Sequence, residues 1–199
     1  MAFTPTTEEL KLALKHNRLA AYARLRGGFP IPLAGATYWA VLGGAGYYLD
    51  LGAWAQIAFY GSGAIFPLGL LFAALFRNNF MKDKTAAGSV LLPALISMLL
   101  FWAFIVAAAQ EAPSMISLIL AVGMAIHWPV IGWSYGRPAV YSAHAVARAV
   151  VPTTLWLTFP DERLTWLPLS VSAIYLVTVI VILVDSAIVR RKLMQNAPA

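Results

Sequence analysis

Six apolar runs, each long enough to cross a lipid bilayer, limit what this chain can fold into. A helix needs about 20 apolar residues to cross the hydrocarbon core. The runs are Ile31–Leu49, Gly52–Phe76, Gly88–Ala109, Ser114–Tyr135, Ala139–Phe159 and Trp166–Val189. Because 61% of the residues are hydrophobic and only 11% are charged, the chain has too few charges to cover a water-soluble domain. We therefore expect an all-α integral membrane bundle of six transmembrane helices.

The basic residues lie between these runs with a consistent sidedness. If the N-terminus is cytoplasmic, that side receives every lysine and arginine except Arg148 and Arg163. Arg163 falls on the opposite side, together with several acidic residues. Cytoplasmic loops of membrane proteins accumulate lysine and arginine, so both termini are expected in the cytoplasm. The net charge of +6 is spread between spans and does not indicate nucleic acid binding.

Three regions are expected along the chain. Residues 1–30 form a cytoplasmic or interfacial N-terminal helix, residues 31–189 the six-helix transmembrane domain, and residues 190–199 a cytoplasmic basic tail. Only Gly136, Arg137 and Pro138 separate the fourth run from the fifth, and proline cannot continue the preceding helix. The fourth and fifth helices should therefore be antiparallel neighbours, with Arg137 contributing only to the topology signal.

The N-terminal region has the pattern of an amphipathic helix. Thr6 and Glu9 have the spacing of a capping box, and Lys11, Lys15 and Arg18 share one helical face. Such a face favours contact with the anionic lipids of the inner leaflet. A solvated tail that only helps to set the orientation is the alternative.

Small and aromatic residues suggest how the helices pack. In the first run, Ala36, Ala40 and Gly44 recur every four residues, and Gly35 and Gly43 border that face. Small residues let helix backbones approach closely in lipid, so this face is expected to contact a neighbour. Tryptophans toward the ends of the runs are expected to be interfacial anchors. These are Trp39, Trp54, Trp102, Trp133, Trp156 and Trp166.

Four ionisable side chains lie at membrane depth, namely His127, His144, Arg148 and Asp185. Each costs a few kcal/mol or more unless it faces the bundle interior and finds a partner. The fifth helix carries a polar stripe at spacings of four, three and four: Arg137, Tyr141, His144 and Arg148. A second polar face on the sixth helix consists of Ser172, Tyr175, Thr178 and Asp185.

The helical rise places the four ionisable residues about 6 to 15 Å from the cytoplasmic ends of their helices. Side chains lean toward the N-terminus of their own helix, which brings Arg148 and Asp185 toward each other. We predict an ion pair between these two residues, with His144 beside it and His127 facing it from the fourth helix. Pairing of Asp185 with a basic residue of the tail stays open.

This cluster supplies the candidate substrate-binding or proton-relay residues: His127, His144, Arg148, Asp185, Tyr141 and Tyr175. The favoured function is a small-solute or proton-coupled transporter, in which Arg148 attracts an anionic group and the histidines exchange protons near neutral pH. One alternative is a structural or accessory subunit whose polar cluster only fixes helix packing. A second alternative is a membrane enzyme that modifies a lipid headgroup.

Signatures of catalysis and of bound cofactors are missing from the sequence. There is no cysteine, no helix carries an HxxxH metal motif, and no Gly-x-Ser-x-Gly elbow occurs. We therefore expect no catalytic residue, metal or cofactor, and an enzymatic role is disfavoured. The expected partners are the lipid bilayer, anionic inner-leaflet lipids and a small anionic solute, without nucleic acid. Formation of a homo-oligomer stays open.

One short motif resembles a known family. The run His127-Trp128-Pro129, followed by 132–135 (GWSY) and a basic turn, resembles an uncharacterised family of small bacterial multi-pass membrane proteins, known only as a domain of unknown function. The similarity covers the chain from about Arg24 to Val184, while Pro129 and the Arg148 stripe depart from the family's pattern. The resemblance implies a bacterial inner-membrane protein of comparable topology, and no activity or catalytic residue.

Overall fold

The computed structural model describes residues 5–196, and the regular secondary structure in that range is all helical, without a strand. Its helices are α1 (Thr7–Arg24), α2 (Pro30–Ala45), α3 (Leu51–Gly61), α4 (Ile65–Leu75), α5 (Leu91–Leu99), α6 (Trp102–Glu111), α7 (Ile116–Gly123), α8 (Trp128–Ser134), α9 (Pro138–Thr158) and α10 (Trp166–Gln195). Short 3₁₀ helices connect several of them. Ser62–Ala64 joins α3 to α4, and Pro113–Met115 leads into α7.

Four helical stretches in the described range are long and apolar enough to cross a membrane. They are Leu51–Leu75, Ala87–Glu111, Pro113–Ser134 and Trp166–Gln195. These correspond to the second, third, fourth and sixth predicted spans. The first and fifth predicted spans correspond to helices that are shorter or less apolar. Helix α2 has only 16 residues, and α9 has 21 but carries His144 and Arg148. The expected six equivalent spans are therefore reduced to four.

The N-terminal helix begins as the sequence predicts. The hydroxyl of Thr6 accepts a hydrogen bond from the Glu9 amide at 3.3 Å, and the Glu9 carboxylate accepts one from the Thr6 amide at 2.7 Å. At its other end, α1 buries Tyr22 and packs against α10. The chain then reverses at residues 26–28, all with positive φ, before Pro30 opens α2.

The expected cytoplasmic basic tail is helical where it is described. Helix α10 continues without interruption to Gln195, so residues 190–195 extend the last helix. Residues 1–4 of the expected N-terminal region and 197–199 of the tail lie outside the described residues.

Helix α2 packs on α10 through part of the predicted face and the two glycines that border it. Ala36 of that face is buried, and its carbonyl accepts a hydrogen bond from the Ser172 hydroxyl at 2.8 Å. A Cβ atom on Gly43 would lie 2.7 Å from the Leu169 side chain, and one on Gly35 would lie 2.7 Å from the Tyr175 ring. Ala40 is exposed and Gly44 has open space around it. The assignment of Ala40 and Gly44 to the contact was therefore wrong, because the bordering glycines carry the close approach.

Two of the six predicted tryptophan anchors lie in the core instead. Trp39 and Trp54 are fully buried, and the Trp54 indole donates a hydrogen bond to the Leu42 carbonyl at 3.0 Å. Trp133 and Trp166 are 40% and 45% exposed, as anchors would be. Position near the end of an apolar run does not distinguish a core tryptophan from an interfacial one, because that depends on which face of the helix is covered.

Several basic loops meet at one end of the bundle, which we call the basic end. It comprises the last turn of α1, residues 25–29, residues 76–84, residues 135–137 and the last turns of α10. Arg24 binds Asp83 with bonds of 2.6 and 2.8 Å, and the Asn78 amide donates to the Leu25 carbonyl at 2.6 Å. These contacts hold the end of α1 and the loop after α4 together at this end of the fold.

The neighbouring glycines of α2 provide a matched test of this packing. Gly43→Ala should lower the free energy of unfolding by about 1 to 3 kcal/mol, because the added methyl group overpacks the contact with α10. Gly44→Ala should be neutral or stabilising by up to about 1 kcal/mol, since alanine is the better helix former. Thermal unfolding in detergent micelles, followed by circular dichroism, measures both. Equal effects of the two substitutions would contradict the assigned face.

Candidate functional site

The site is built around an interruption of the fourth predicted span. Between α7 and α8 the N–H of Ala125 donates to the Val122 carbonyl at 2.9 Å, instead of to Ala121 as in a continuous α-helix. Pro129 in the first turn of α8 has no N–H to donate. The Ala121 carbonyl is therefore released from the helix and faces the bundle interior.

Arg148 of α9 uses this released carbonyl. Its Nη2 donates to the Ala121 oxygen at 2.5 Å, and its Nη1 donates to the hydroxyl of Tyr175 on α10 at 2.6 Å. The guanidinium also lies 5.6 Å from the Trp39 ring centre and 4.8 Å from that of Tyr175. Arg148 is fully buried, and its Nε has no hydrogen-bond partner among the described residues.

His144 lies one turn away from Arg148 on the same face. Its Nδ1 is 2.8 Å from the Thr178 hydroxyl, which donates its own hydrogen to the Ile174 carbonyl at 2.7 Å. The hydroxyl has a single hydrogen, so Nδ1 must be the donor in this contact. In the neutral ring, Nε2 then carries a lone pair, and it is buried without a partner within residues 5–196.

Trp128 holds the predicted residues together. Its ring centre is 3.9 Å from that of His144, 5.7 Å from that of Tyr141 and 5.5 Å from that of Tyr175. Its neighbour His127 has a ring centre 6.3 Å away, and the Nδ1 of His127 is buried without a partner in the described part of the chain. Trp128 was not among the predicted site residues and appeared only as part of the motif. An aromatic residue in an apolar run looks the same in sequence whether it packs in the core or lines a site.

Tyr141 connects the site to the turn between α1 and α2. Its hydroxyl donates to the Gly27 carbonyl at 2.6 Å, and the side chain is buried. Five of the six candidate residues therefore come together, and all but His127 lie on α9 and α10.

Asp185 is the exception, and the predicted Arg148–Asp185 ion pair is wrong. Arg137 binds Asp185 instead, through Nε at 2.6 Å and through a second bond from Nη2. Asp185 lies ten residues beyond Tyr175, or about 15 Å along α10, so Arg148 cannot bind both. This hydrogen-bonded carboxylate raises the pKa of Arg137. Arg137 therefore has a structural role as well as its place in the charge pattern.

The charge of Arg148 has no counter-ion among the described residues. The ion pairs there are Lys11–Glu8, Arg24–Asp83 and Arg137–Asp185. Both direct hydrogen-bond acceptors of Arg148, a tyrosine hydroxyl and a backbone carbonyl, are neutral. Taking an ion out of water costs several kcal/mol, so an unpaired buried cation is a strong attraction for an anion.

Two adjoining cavities lie against this cluster. One, of about 300 Å³, is lined by His127, Trp128 and Tyr175, and the other, of about 310 Å³, by His127, Trp128 and Tyr141. They also share apolar walls from α2, α4 and α5. Ligand pockets typically combine such apolar walls with a few polar groups. In the described chain no three His, Asp or Glu side chains are grouped to hold a metal ion.

The fold and this site define an all-α protein that has helices long and apolar enough to cross a membrane and a buried polar cluster around Arg148. The chain belongs to a family of unknown function (DUF7010), whose model matches residues 14–185. Membership of a family of unknown function agrees with the resemblance noted for the motif around His127, and the matched region contains every residue of the cluster. Searches of curated proteins and of solved structures found no match.

The contact between Arg137 and Asp185 predicts an energetic coupling between these two residues. Arg137→Gln and Asp185→Asn should each reduce stability, and the double variant should lose less than the sum, with a coupling of about 0.5 to 3 kcal/mol. Lys192→Gln combined with Asp185→Asn tests whether Asp185 pairs with the basic tail instead. The stability losses of these two substitutions should add within about 0.5 kcal/mol. Thermal unfolding of the three single and two double variants, together with the unsubstituted protein, measures both couplings. Additive losses at Arg137 and Asp185 would rule out their contact.

Proposed function

We propose that this protein is a multi-pass protein of the bacterial inner membrane that binds a small amphipathic organic anion between its helices and transports it. In the proposed topology both termini are cytoplasmic, and α2 and α9 complete a six-helix bundle with the four longer apolar stretches. The basic end supports this orientation, because lysine and arginine accumulate on the cytoplasmic side.

The observation that carries the proposal is the fully buried Arg148 without a carboxylate partner, next to a cavity. The guanidinium does not line that cavity, but Tyr175 does, and the Tyr175 oxygen accepts from Arg148. No described residue accepts the hydroxyl hydrogen of Tyr175, so in our proposal this hydrogen is donated to the ligand. The adjacent positive charge strengthens that donor, since charge-assisted hydrogen bonds are the stronger ones.

The rest of the cavity sets the chemistry of the ligand. His127 supplies a second polar group, and the remaining walls are mostly aliphatic or aromatic, including Ile31, Phe66 and Leu95. A ligand that fits both parts has one anionic group and a compact apolar body. A carboxylate or sulfonate on a ring or a short chain meets this description.

The interruption between α7 and α8 supports transport over simple binding. Transporters commonly place the substrate next to a broken helix, whose freed backbone groups take part in the site. Here the freed Ala121 carbonyl holds the cation that attracts the ligand. A packing role alone would need neither the cavity nor the unpaired charge.

Binding can be measured with benzenesulfonate, which stays charged at neutral pH, and with the neutral benzenesulfonamide as its matched control ligand. Calorimetric titration of the full chain in detergent should show binding of the anion and much weaker binding of the amide. Tyr175→Phe should weaken anion binding about tenfold, because it removes one charge-assisted hydrogen bond. Tyr22→Phe is the matched control, because it also removes a hydrogen bond of a fully buried tyrosine. Tyr22 does not line the cavity, so this variant should bind the anion as tightly as the unsubstituted protein.

Two results would contradict the proposal: equal affinities for the anion and the amide, or equal losses in the Tyr175→Phe and Tyr22→Phe variants. Transport is tested separately with vesicles containing the protein. Efflux of trapped benzenesulfonate should exceed that from protein-free vesicles and should fall in Tyr175→Phe. Binding without efflux would reduce the function to that of a binding subunit.

A further inference from the structure

A third, larger cavity lies at the basic end, far along α10 from Tyr175. It has a volume of about 880 Å³ and separates α1 from the last turns of α10. Its lining contains His16, Arg24, Arg26 and Arg190, together with apolar side chains such as Leu193 and Met194. Among residues 5–196, no aspartate or glutamate contributes to this lining. We call it the basic cleft.

The basic residues of this cleft differ in how far their charge is already neutralised. Arg24 is paired through two bonds with Asp83. Arg26 donates to the Phe76 carbonyl and lies 5.0 Å from the Phe29 ring centre, so its partners are neutral. Arg190 is exposed and forms no ion pair within the described residues. Two guanidinium charges on opposite walls therefore remain available.

The position of Arg26 is fixed before any ligand arrives. Its φ of 49° lies in the left-handed region, which costs a non-glycine residue of order 1 to 3 kcal/mol. The contacts with Phe76 and Phe29 hold the side chain in this unusual turn. Fixing one arginine in advance lowers the entropy lost when an anion binds between it and Arg190.

We propose that the basic cleft binds the phosphate group of an anion, either the headgroup of an anionic lipid or a soluble phosphate. Guanidinium groups match the oxygens of a phosphate through paired hydrogen bonds. Leu193 and Met194 give the cleft an apolar wall at which the first carbons of a lipid can lie. This site is independent of the Tyr175 cavity, so either can fail without the other.

The test uses neighbouring arginines at the end of α10 as a matched pair. Arg190 lines the cleft, whereas Arg191 is equally exposed and does not line it. The full chain in neutral detergent is titrated with phosphatidic acid, with phosphatidylcholine and with inorganic phosphate, and bound ligand is counted by native mass spectrometry. Phosphatidic acid should bind, and Arg190→Gln should weaken its binding about tenfold, whereas Arg191→Gln should change it less than about twofold.

A second variant addresses the other wall. Arg26→Gln should weaken binding as Arg190→Gln does, and circular dichroism shows whether it is folded. If both variants lose phosphatidic acid binding, and the unsubstituted protein binds inorganic phosphate weakly or not at all, the cleft is assigned to a lipid headgroup. Inorganic phosphate binding with the same dependence on Arg190 assigns it to a soluble phosphate. Equal effects of Arg190→Gln and Arg191→Gln, or equal binding of phosphatidylcholine, would overturn the proposal.

Discussion

Burial of the Arg148 charge in an apolar bundle without a carboxylate constrains the packing around it. Two helices must supply neutral acceptors to the same guanidinium, and each does so through a local feature. The interruption after α7 frees the Ala121 carbonyl, and α10 brings the Tyr175 hydroxyl. Helix α2 can approach this tyrosine only because residue 35 is glycine. The buried cation thus lies where an interruption in one helical stretch meets the close contact between α2 and α10.

Much of this arrangement could be predicted from periodicity. The capping box at Thr6, the short turn between α8 and α9, and the gathering of His144, Arg148 and Tyr175 all follow from regular helical spacing. Such spacing fixes which residues share a face. Ionisable residues in an apolar helix must face the interior, so their convergence could be expected before the structure was known.

What could not be predicted depends on translation along the helix axes and on breaks within helices. The predicted depths placed Arg148 near Asp185, whereas the relative shift of α9 and α10 aligns Arg148 with Tyr175 and Arg137 with Asp185. A composition-based span also hides the break before Trp128, because the residues there are as apolar as a continuous helix requires. Hydrophobicity specifies that a residue is buried, but it does not specify its neighbour.

The wall of the cavity formed by α5 has a mechanical consequence. In the most apolar stretch of Ala87–Glu111 only 11% is buried inside the protein, against 44% for the corresponding stretches of Pro113–Ser134 and Trp166–Gln195. Few contacts with the rest of the protein therefore hold this helical stretch in place. Displacing it would break fewer packing contacts than displacing either of those two stretches, so the α5 wall of the cavity is easier to move than the wall formed by α8.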